Sequence, residues 1–215
     1  SAIAIGSETS AAQQSSLAIG DRMKATGAYA TAVGNYGQAT GTKSTAIGAL
    51  AKASGTNATS LGANTVASQE AAAALGSYAE ATGLRSTAVG VNAAASGQSS
   101  QAMGDHAEAT GFGAAAVGKA AKALYQSASA FGDSANATTV QSTAVGYSAN
   151  ATGLNASAFG NLSMASGKYA TAVGSEAHAT GQNGFAGGAK VNATGSEATA
   201  VGYNSTASGA GSVTL

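Results

Sequence analysis

The sequence predicts an all-β parallel solenoid (a β-roll) of about fifteen coils, each made of 14 residues. Glycine recurs every 14 residues from Gly6 to Gly202, an alanine follows each of these glycines five residues later, and a second glycine occupies most repeats. A helix is a poor alternative, because two glycines per 14 residues would each cost about 1 kcal/mol relative to alanine. We therefore expect residues 1–215 to form a single repeat array that stops inside a further repeat.

The repeat is numbered so that Gly6 stands at position 6, and one unit then reads x-[A/S]-T-A-[V/I/L]-G-x-x-A-x-A-[T/S]-G-x. Two short alternating segments, positions 2–5 and 8–12, predict two strands and two turns per coil. Each strand is expected to pair in parallel with its copy one coil along, at a spacing of about 4.8 Å. The glycine of the second turn is replaced by Gln13, Gln69, Tyr125 and Thr139. Around Leu124–Tyr125 and Thr138–Val140 the backbone should therefore differ or protrude, as a simple bulge or as a binding knob.

The composition limits the classes of function. The chain has 31 Gly, no Pro, no Cys and no Trp, and only 8% of its residues are charged. Its formal net charge is zero and its nine basic residues form no patch, which argues against binding nucleic acid or acidic lipid. We find neither an apolar stretch long enough to span a bilayer nor a signal peptide at the start of the sequence.

The charged residues indicate which positions face water. All of them fall at positions 1, 7, 8, 10 and 14, and none lies at positions 2–6, 9 or 11–13. The second strand should therefore alternate, with alanine at positions 9 and 11 inside the coil. A 14-residue coil is narrow, so the small residues at positions 2 and 4 should face those alanines, and positions 3 and 5 should point outwards.

Position 5 carries large apolar side chains along the whole array, which we call the apolar ladder. An exposed ladder of this length would promote aggregation, so we expect another chain to cover it. In one repeat position 5 is Gly187 and position 3 is Phe185 in place of Thr, which predicts that the two sites share one packing layer. The predicted interface residues are Ile5, Ile19, Val33, Ile47, Leu61, Leu75, Val89, Met103, Val117, Phe131, Val145, Phe159, Val173, Phe185 and Val201.

Segments 1–6, 86–90 and 142–146, each followed by an A-x-A-[T/S]-G sequence or a close variant of it, resemble the head repeats of YadA-like trimeric autotransporter adhesins of Gram-negative bacteria. The resemblance implies a left-handed parallel β-roll and a homotrimer with its apolar faces around a three-fold axis. It also implies a location on the bacterial surface, with an outer-membrane anchor in other regions of such proteins. The implied partners are host matrix proteins such as collagen, fibronectin or laminin, or the host cell surface. The collagen-binding motif N-S-V-A-I-G-x-x-S differs from these repeats at positions 1, 3 and 9, so adhesion rather than collagen binding carries over.

No catalytic, cofactor or metal site is predicted. His106 and His178 stand at positions expected to be exposed, and Asp105 and Glu108 near the first do not form the convergent set of ligands that zinc needs. The glycine-rich sequence lacks the lysine of a phosphate-binding loop, and no Ser/His/Asp arrangement or carboxylate pair suggests an enzyme.

Exposed tyrosines are the candidate ligand contacts, because tyrosine offers a large rigid surface for recognition. The candidates are Tyr36, Tyr78, Tyr147 and Tyr203. Two alternative functions stay open at this point. The first is a passive spacer in a surface fibre, and the second is an ice-binding solenoid that uses the threonine row at position 3.

Overall fold

The computed structural model describes residues 1–215 and consists of short β-strands joined by turns and bends. It divides into two compact units, residues 1–107 and 108–215. Each unit contains two parallel sheets, and each coil contributes one strand to either sheet.

In the first unit, the first sheet holds the strands that contain positions 3–5 of each repeat, and two of these strands continue to position 7. These are β1 (Ile3–Ile5), β3 (Leu17–Asp21), β5 (Thr31–Asn35), β7 (Thr45–Ile47), β9 (Thr59–Leu61), β11 (Ala73–Leu75), β13 (Thr87–Val89) and β15 (Gln101–Met103). The second sheet holds β2 (Ser10–Ala11), β4 (Lys24–Ala25), β6 (Gln38–Ala39), β8 (Lys52–Ala53), β10 (Val66–Ala67), β12 (Glu80–Ala81) and β14 (Ala94–Ala95).

The second unit repeats this arrangement. Its first sheet holds β17 (Ala115–Val117), β19 (Ser129–Phe131), β21 (Thr143–Val145), β23 (Ser157–Phe159), β25 (Thr171–Val173), β27 (Phe185–Ala189), β29 (Thr199–Tyr203) and β31 (Val213–Thr214). Its second sheet holds β16 (Glu108–Ala109), β18 (Lys122–Ala123), β20 (Asn136–Ala137), β22 (Asn150–Ala151), β24 (Met164–Ala165), β26 (His178–Ala179), β28 (Asn192–Ala193) and β30 (Thr206–Ala207).

Strands pair in parallel with their own copies in the neighbouring coils, as the repeat predicts. Ala32 lies opposite Ala46, and Ala144 lies opposite Ala158, each 14 residues apart. Most strands are shorter than predicted, because they cover only positions 3–5 or 10–11, whereas β3, β5, β27 and β29 continue to position 7. Position 8, assigned to the second strand from sequence, belongs instead to a turn with a positive φ. The backbone beside the short strands still pairs between coils, as where the Thr26 N–H donates to Ala39 O at 3.0 Å.

The interior is filled by positions 2, 4, 9 and 11, which confirms the assignment made from the charges. Ala18, Ala25 and Ala32 have no exposed surface, and the same holds for nearly all their equivalents. Serines at position 2 are buried with their hydroxyls satisfied, and Ser44 Oγ donates to the Gly41 carbonyl at 2.7 Å. The larger Met23 fits because the next coil has Gly37 at the equivalent position. A Cβ on that glycine would lie 2.7 Å from the Met23 Cε.

Both turns of each coil place a residue in the left-handed region, at positions 1 and 8. Twenty-eight residues other than glycine have φ between 50° and 60° there, among them Tyr29, Leu50 and Arg85. The conformation costs roughly 1–2 kcal/mol for a residue with a Cβ. Hydrogen bonds between coils hold it in place, as where the Tyr78 N–H donates to the Ala63 carbonyl at 2.9 Å.

The glycine at position 6 cannot be replaced without moving the backbone. Gly146 has φ of +132°, and a Cβ placed on it would lie 2.4 Å from the carbonyl oxygen of Gly160 in the next coil. The invariant glycine thus permits the close stacking of consecutive coils.

Each coil consists of two similar halves of seven residues. Positions 1 and 8 share a positive φ, positions 2 and 9 and positions 4 and 11 face inwards, and positions 6 and 13 are mostly glycine. The halves differ mainly in their outer side chains. Position 5 is large and apolar, whereas position 12 is nearly always threonine or serine.

Candidate functional site

The apolar ladder lies on the outer face of the first sheet, as predicted. None of its residues is buried within the chain. The exposed fraction is 42% for Phe131 and 41% for Val173. The residues share this face with position 3, where Thr143 and Thr171 are half-buried. The face therefore carries an apolar row at position 5 and a row at position 3 that is mostly threonine or serine, without a charged side chain. Its coverage by another chain stays a prediction, since the structure contains one chain.

Phe185 and Gly187 share one packing layer, which confirms the prediction for this repeat. A Cβ on Gly187 would lie 2.9 Å from Cε1 and 3.2 Å from Cζ of the Phe185 ring. The ring thus lies over the glycine and occupies the space that a larger side chain at position 5 would fill. The same hypothetical Cβ would be 3.8 Å from Cγ2 of Val201, so this layer borders the next residue of the ladder.

The four candidate tyrosines are all exposed but do not form one cluster. Tyr36 and Tyr78 lie at position 8 in the first unit, three coils apart, and Tyr147 and Tyr203 lie at position 7 in the second unit, four coils apart. They project from the turn that follows the first sheet. As ligand contacts they stay a prediction.

Tyr36 belongs to a polar cluster along position 8. Arg22 Nε donates to Glu8 Oε2 at 2.8 Å, and the Arg22 guanidinium also donates to the Tyr36 hydroxyl. The guanidinium carbon is 5.1 Å from the centre of the Tyr36 ring. The hydrogen bond with Glu8, followed by the charges of Tyr36 and Asp21, raises the pKa of Arg22 above its ordinary value. The cluster is open to solvent, so it organises the surface without adding appreciable stability.

The possible binding knob around Leu124–Tyr125 and Val140 is part of a larger apolar patch at the second turn, which we call the second-turn patch. Its members lie at positions 12–14 of four neighbouring coils, and Phe112 and Tyr125 are 55% and 52% exposed. The turns stack directly, since the Ser127 N–H donates to Phe112 O at 2.8 Å. The signal available in the sequence for Phe112, Val140 and Leu154 was an apolar residue at position 14, which is polar in most repeats. The patch comprises Phe112, Leu124, Tyr125, Val140 and Leu154.

The irregular repeats keep the coil and change its hydrogen bonds. At a regular second turn the Gly27 N–H donates to Ala39 O at 3.3 Å. The N–H groups of Gln13 and Thr139 donate instead to the hydroxyls of Ser16 and Ser142, at 3.3 and 3.2 Å. The hydrogen bonding of the turn therefore changes at Thr139, within the segment predicted to differ, while the strands on either side keep their register.

The comparison with protein-family models gives a match along most of the chain. The model is the YadA head domain repeat, and it matches residues 1–22, 39–65, 53–79, 81–107, 126–149, 140–163, 165–190 and 193–213. The chain belongs to the YadA head-repeat family. The match covers regions of both units, and it confirms the resemblance drawn from the repeat itself. No curated protein matches the chain.

Membership of the YadA head family identifies the chain as an adhesin-type surface domain. Self-association and binding to host surfaces are general properties of this family, and its members are generally not enzymes. The polar and apolar faces described above are therefore the features to compare with those properties.

The histidines of this YadA head do not form a metal centre. His106 Nδ1 lies 2.7 Å from Asp105 Oδ1, and Asn92 Nδ2 lies 3.5 Å from His106 Nε2. No group of three or more His, Cys, Asp or Glu side chains could hold a metal ion. His178 was expected to be exposed and is half-buried instead, because it lies in a strand between Met164 and Asn192.

No helix in the structure has the length and the apolar character needed to cross a membrane.

Proposed function

We propose that this YadA head is a homotrimeric adhesive surface domain that binds host matrix proteins or host cells through its repetitive outer surface, without catalysis. The observation that carries the proposal is the uncharged apolar ladder on the outer face of the first sheet. In this arrangement the ladder packs between subunits, and the polar second sheet and the turns remain available for ligands. Anchoring to the bacterial outer membrane through other regions of the parent protein is part of the same proposal.

The ladder supplies enough apolar surface to drive assembly. Complete burial of a Val, Leu, Ile or Phe side chain contributes about 1.5–3 kcal/mol. The fifteen predicted interface residues, fourteen of the ladder and Phe185, are already partly covered by their own chain, so we assign roughly 1 kcal/mol to each on assembly. The sum is on the order of 10 kcal/mol per chain, comparable to the stability of an ordinary domain.

Ligand contact is best supported at the turns. They carry the exposed tyrosines Tyr36, Tyr78, Tyr147 and Tyr203 and, at the opposite edge, the second-turn patch. Individual contacts of this kind are weak, but identical copies on three chains would raise the overall affinity by multivalency. We propose collagen, fibronectin, laminin or host-cell glycoproteins as the class of partner.

The assembly is tested by one substitution on each sheet. Val145→Asp places a charge in the ladder and should give a monomeric or unfolded chain, because an uncompensated charge would be buried between subunits. Lys122→Asp changes the exposed second sheet and should leave the assembly unchanged. Light scattering gives the mass of each variant, and the native chain should have three times the monomer mass. A well-folded native monomer, or equal tolerance of both substitutions, would refute the assignment of the faces.

Binding is tested on immobilised collagen, fibronectin, laminin and epithelial cells with the intact trimer. We expect saturable binding to at least one of them, and expect it to survive removal of any one coil because the contacts are redundant. The matched control is the Lys122→Asp trimer, which retains the turns. A stable trimer that binds none of the four would favour a passive spacer over an adhesin.

One observation favours a second candidate function, ice binding. Position 12 presents a row of exposed hydroxyls on the second sheet, including Thr26, Thr40, Thr180 and Thr194. The neighbouring row at position 10 carries charges such as Lys24, which is unfavourable for an ordered layer of water. Thermal hysteresis measured on the purified protein separates this candidate from adhesion.

A further inference from the structure

Aromatic side chains recur in every second coil on the outer face of the first sheet in the second unit. Phe131 and Phe159 occupy position 5 in alternate coils, and Phe185 follows two coils later at position 3. Valines, such as Val145, occupy position 5 in the intervening coils. At roughly 4.8 Å per coil the aromatic rings are spaced by about 9.6 Å.

Position 3 changes together with position 5. Each phenylalanine at position 5 follows a serine at position 3, as in Ser129 and Phe131, whereas Val145 follows Thr143. The larger ring is thus accompanied by the smaller hydroxyl residue. Consecutive coils therefore alternate between two pairs of side chains at positions 3 and 5. One pair is serine with phenylalanine, and the other is threonine with valine.

The third aromatic coil has a different shape from the first two. Phe185 projects from position 3 and its ring covers Gly187 at position 5, so the large side chain of this coil starts from position 3 rather than from position 5. About two fifths of each of the three rings is exposed in the single chain (42% for Phe131, 39% for Phe159 and 39% for Phe185). All three are therefore available to a neighbouring chain.

We propose that these three aromatic layers fix the register in which identical chains pack against one another. This inference rests on the self-association proposed above. A ladder of identical coils could slip by one coil without changing the type of any contact. A slip of one coil would place each phenylalanine of one chain beside a valine layer of the next, and a slip of two coils would place Phe159 beside the Phe185–Gly187 layer. Both leave voids and clashes that the aligned register avoids.

The alternation also indicates what covers this face. Its shapes change with a period of two coils, so a complementary surface must have the same spacing and the same order of layers. The face carries no charged side chain that could make it specific for a different protein. A further copy of this chain supplies matching layers at matching heights.

The register can be measured by disulfide cross-linking, because the native chain has no cysteine. One tagged chain carries Thr143→Cys and is co-assembled with an untagged chain that carries Thr143→Cys, Ser157→Cys or Thr171→Cys. These three partners report the aligned register, a slip of one coil and a slip of two coils. After oxidation with diamide, we expect the aligned pair to cross-link at least tenfold more than either slipped pair.

The same measurement is repeated after the aromatic layers are removed. In a background with Phe131→Val, Phe159→Val, Phe185→Thr and Gly187→Val, all six coils between residues 127 and 210 have valine at position 5, and we expect the aligned preference to fall to about twofold or less. A milder background with only Phe131→Val and Phe159→Val should raise the one-coil cross-link at least threefold. Phe112→Val, which alters an exposed aromatic ring at the second turn, is the matched control and should leave the tenfold preference intact.

The outcomes separate this inference from the proposed function. If light scattering shows an assembled native chain that cross-links equally in all three registers, the register role is wrong and self-association stands. The register role is also wrong if the valine backgrounds keep the full aligned preference while remaining assembled. A monomeric native chain would overturn both.

Discussion

Two neighbouring alanines should respond with opposite sign to the same substitution by glycine. Ala71 is exposed at position 1 and has φ of 53°, whereas Ala72 at position 2 is 1% exposed and has no positive φ. The first alanine bears the strain of the turn, and the second fills the interior. The pair therefore separates backbone strain from packing within one coil.

The magnitudes follow from the two environments. Removal of the Cβ from a left-handed residue relieves roughly 1–2 kcal/mol of strain, and the greater freedom of glycine in the unfolded chain opposes it by about 0.4–1 kcal/mol. Ala71→Gly should therefore stabilise the protein by about 0.5–1 kcal/mol. Ala72→Gly loses a buried methyl group, worth about 0.8 kcal/mol, and pays the same unfolded-state term, so it should destabilise by about 1.5 kcal/mol.

The assay is urea unfolding followed by far-UV circular dichroism at one protein concentration, because association makes the midpoint depend on concentration. A change of midpoint at constant m-value reports the change in stability. Ala120 and Ala121 provide a second pair, with φ of 53° at the first and full burial at the second. Equal losses from Ala71→Gly and Ala72→Gly would refute the idea that the turns are strained.

Two further predictions concern close contacts between coils. Gly146→Ala, with a Cβ 2.4 Å from Gly160 O, should cost more than about 3 kcal/mol. Gly113 has φ of +62° and no atom within 4 Å of a Cβ placed on it, so Gly113→Ala should cost only about 1 kcal/mol of stability. Thermal unfolding of both variants measures the two losses of stability, and similar losses would contradict the prediction. Gly37→Ala should cost about 1–2 kcal/mol in the native chain and almost nothing after Met23→Ala. A double-mutant cycle measures the coupling, and simple additivity would show that the two side chains do not compete for one space.

The repeat allowed most of the coil to be predicted, because its period carries the information. Glycine at every fourteenth residue fixed the length of the coil, and the positions of the charges separated inside from outside, as in buried Ala32 and exposed Lys122. Phe185 and Gly187 were recognised as one layer because the volume lost at one position returned at its neighbour.

The turns could not be predicted at the same level, because their residues carry no common turn signature. Tyr29, Leu50 and Arg85 all adopt a positive φ that favours glycine or asparagine. Bonds between coils impose this conformation against local preference, so the second strand was predicted too long. The second-turn patch was foreseen only in part. Leu124, Tyr125 and Val140 were noticed because their turns lack glycine, whereas Phe112 and Leu154 follow a glycine in otherwise regular turns.

The pairing of each backbone group with its own equivalent one coil away has a consequence for how such a protein changes during evolution. Recombination that duplicates or deletes one complete 14-residue unit replaces every lost contact with an equivalent one, so the array can grow or shrink without redesign. Loss of a single residue would instead shorten one coil to about 13 residues and break its pairing with both neighbours. The unbroken 14-residue spacing from Gly6 to Gly202 meets this requirement in every coil.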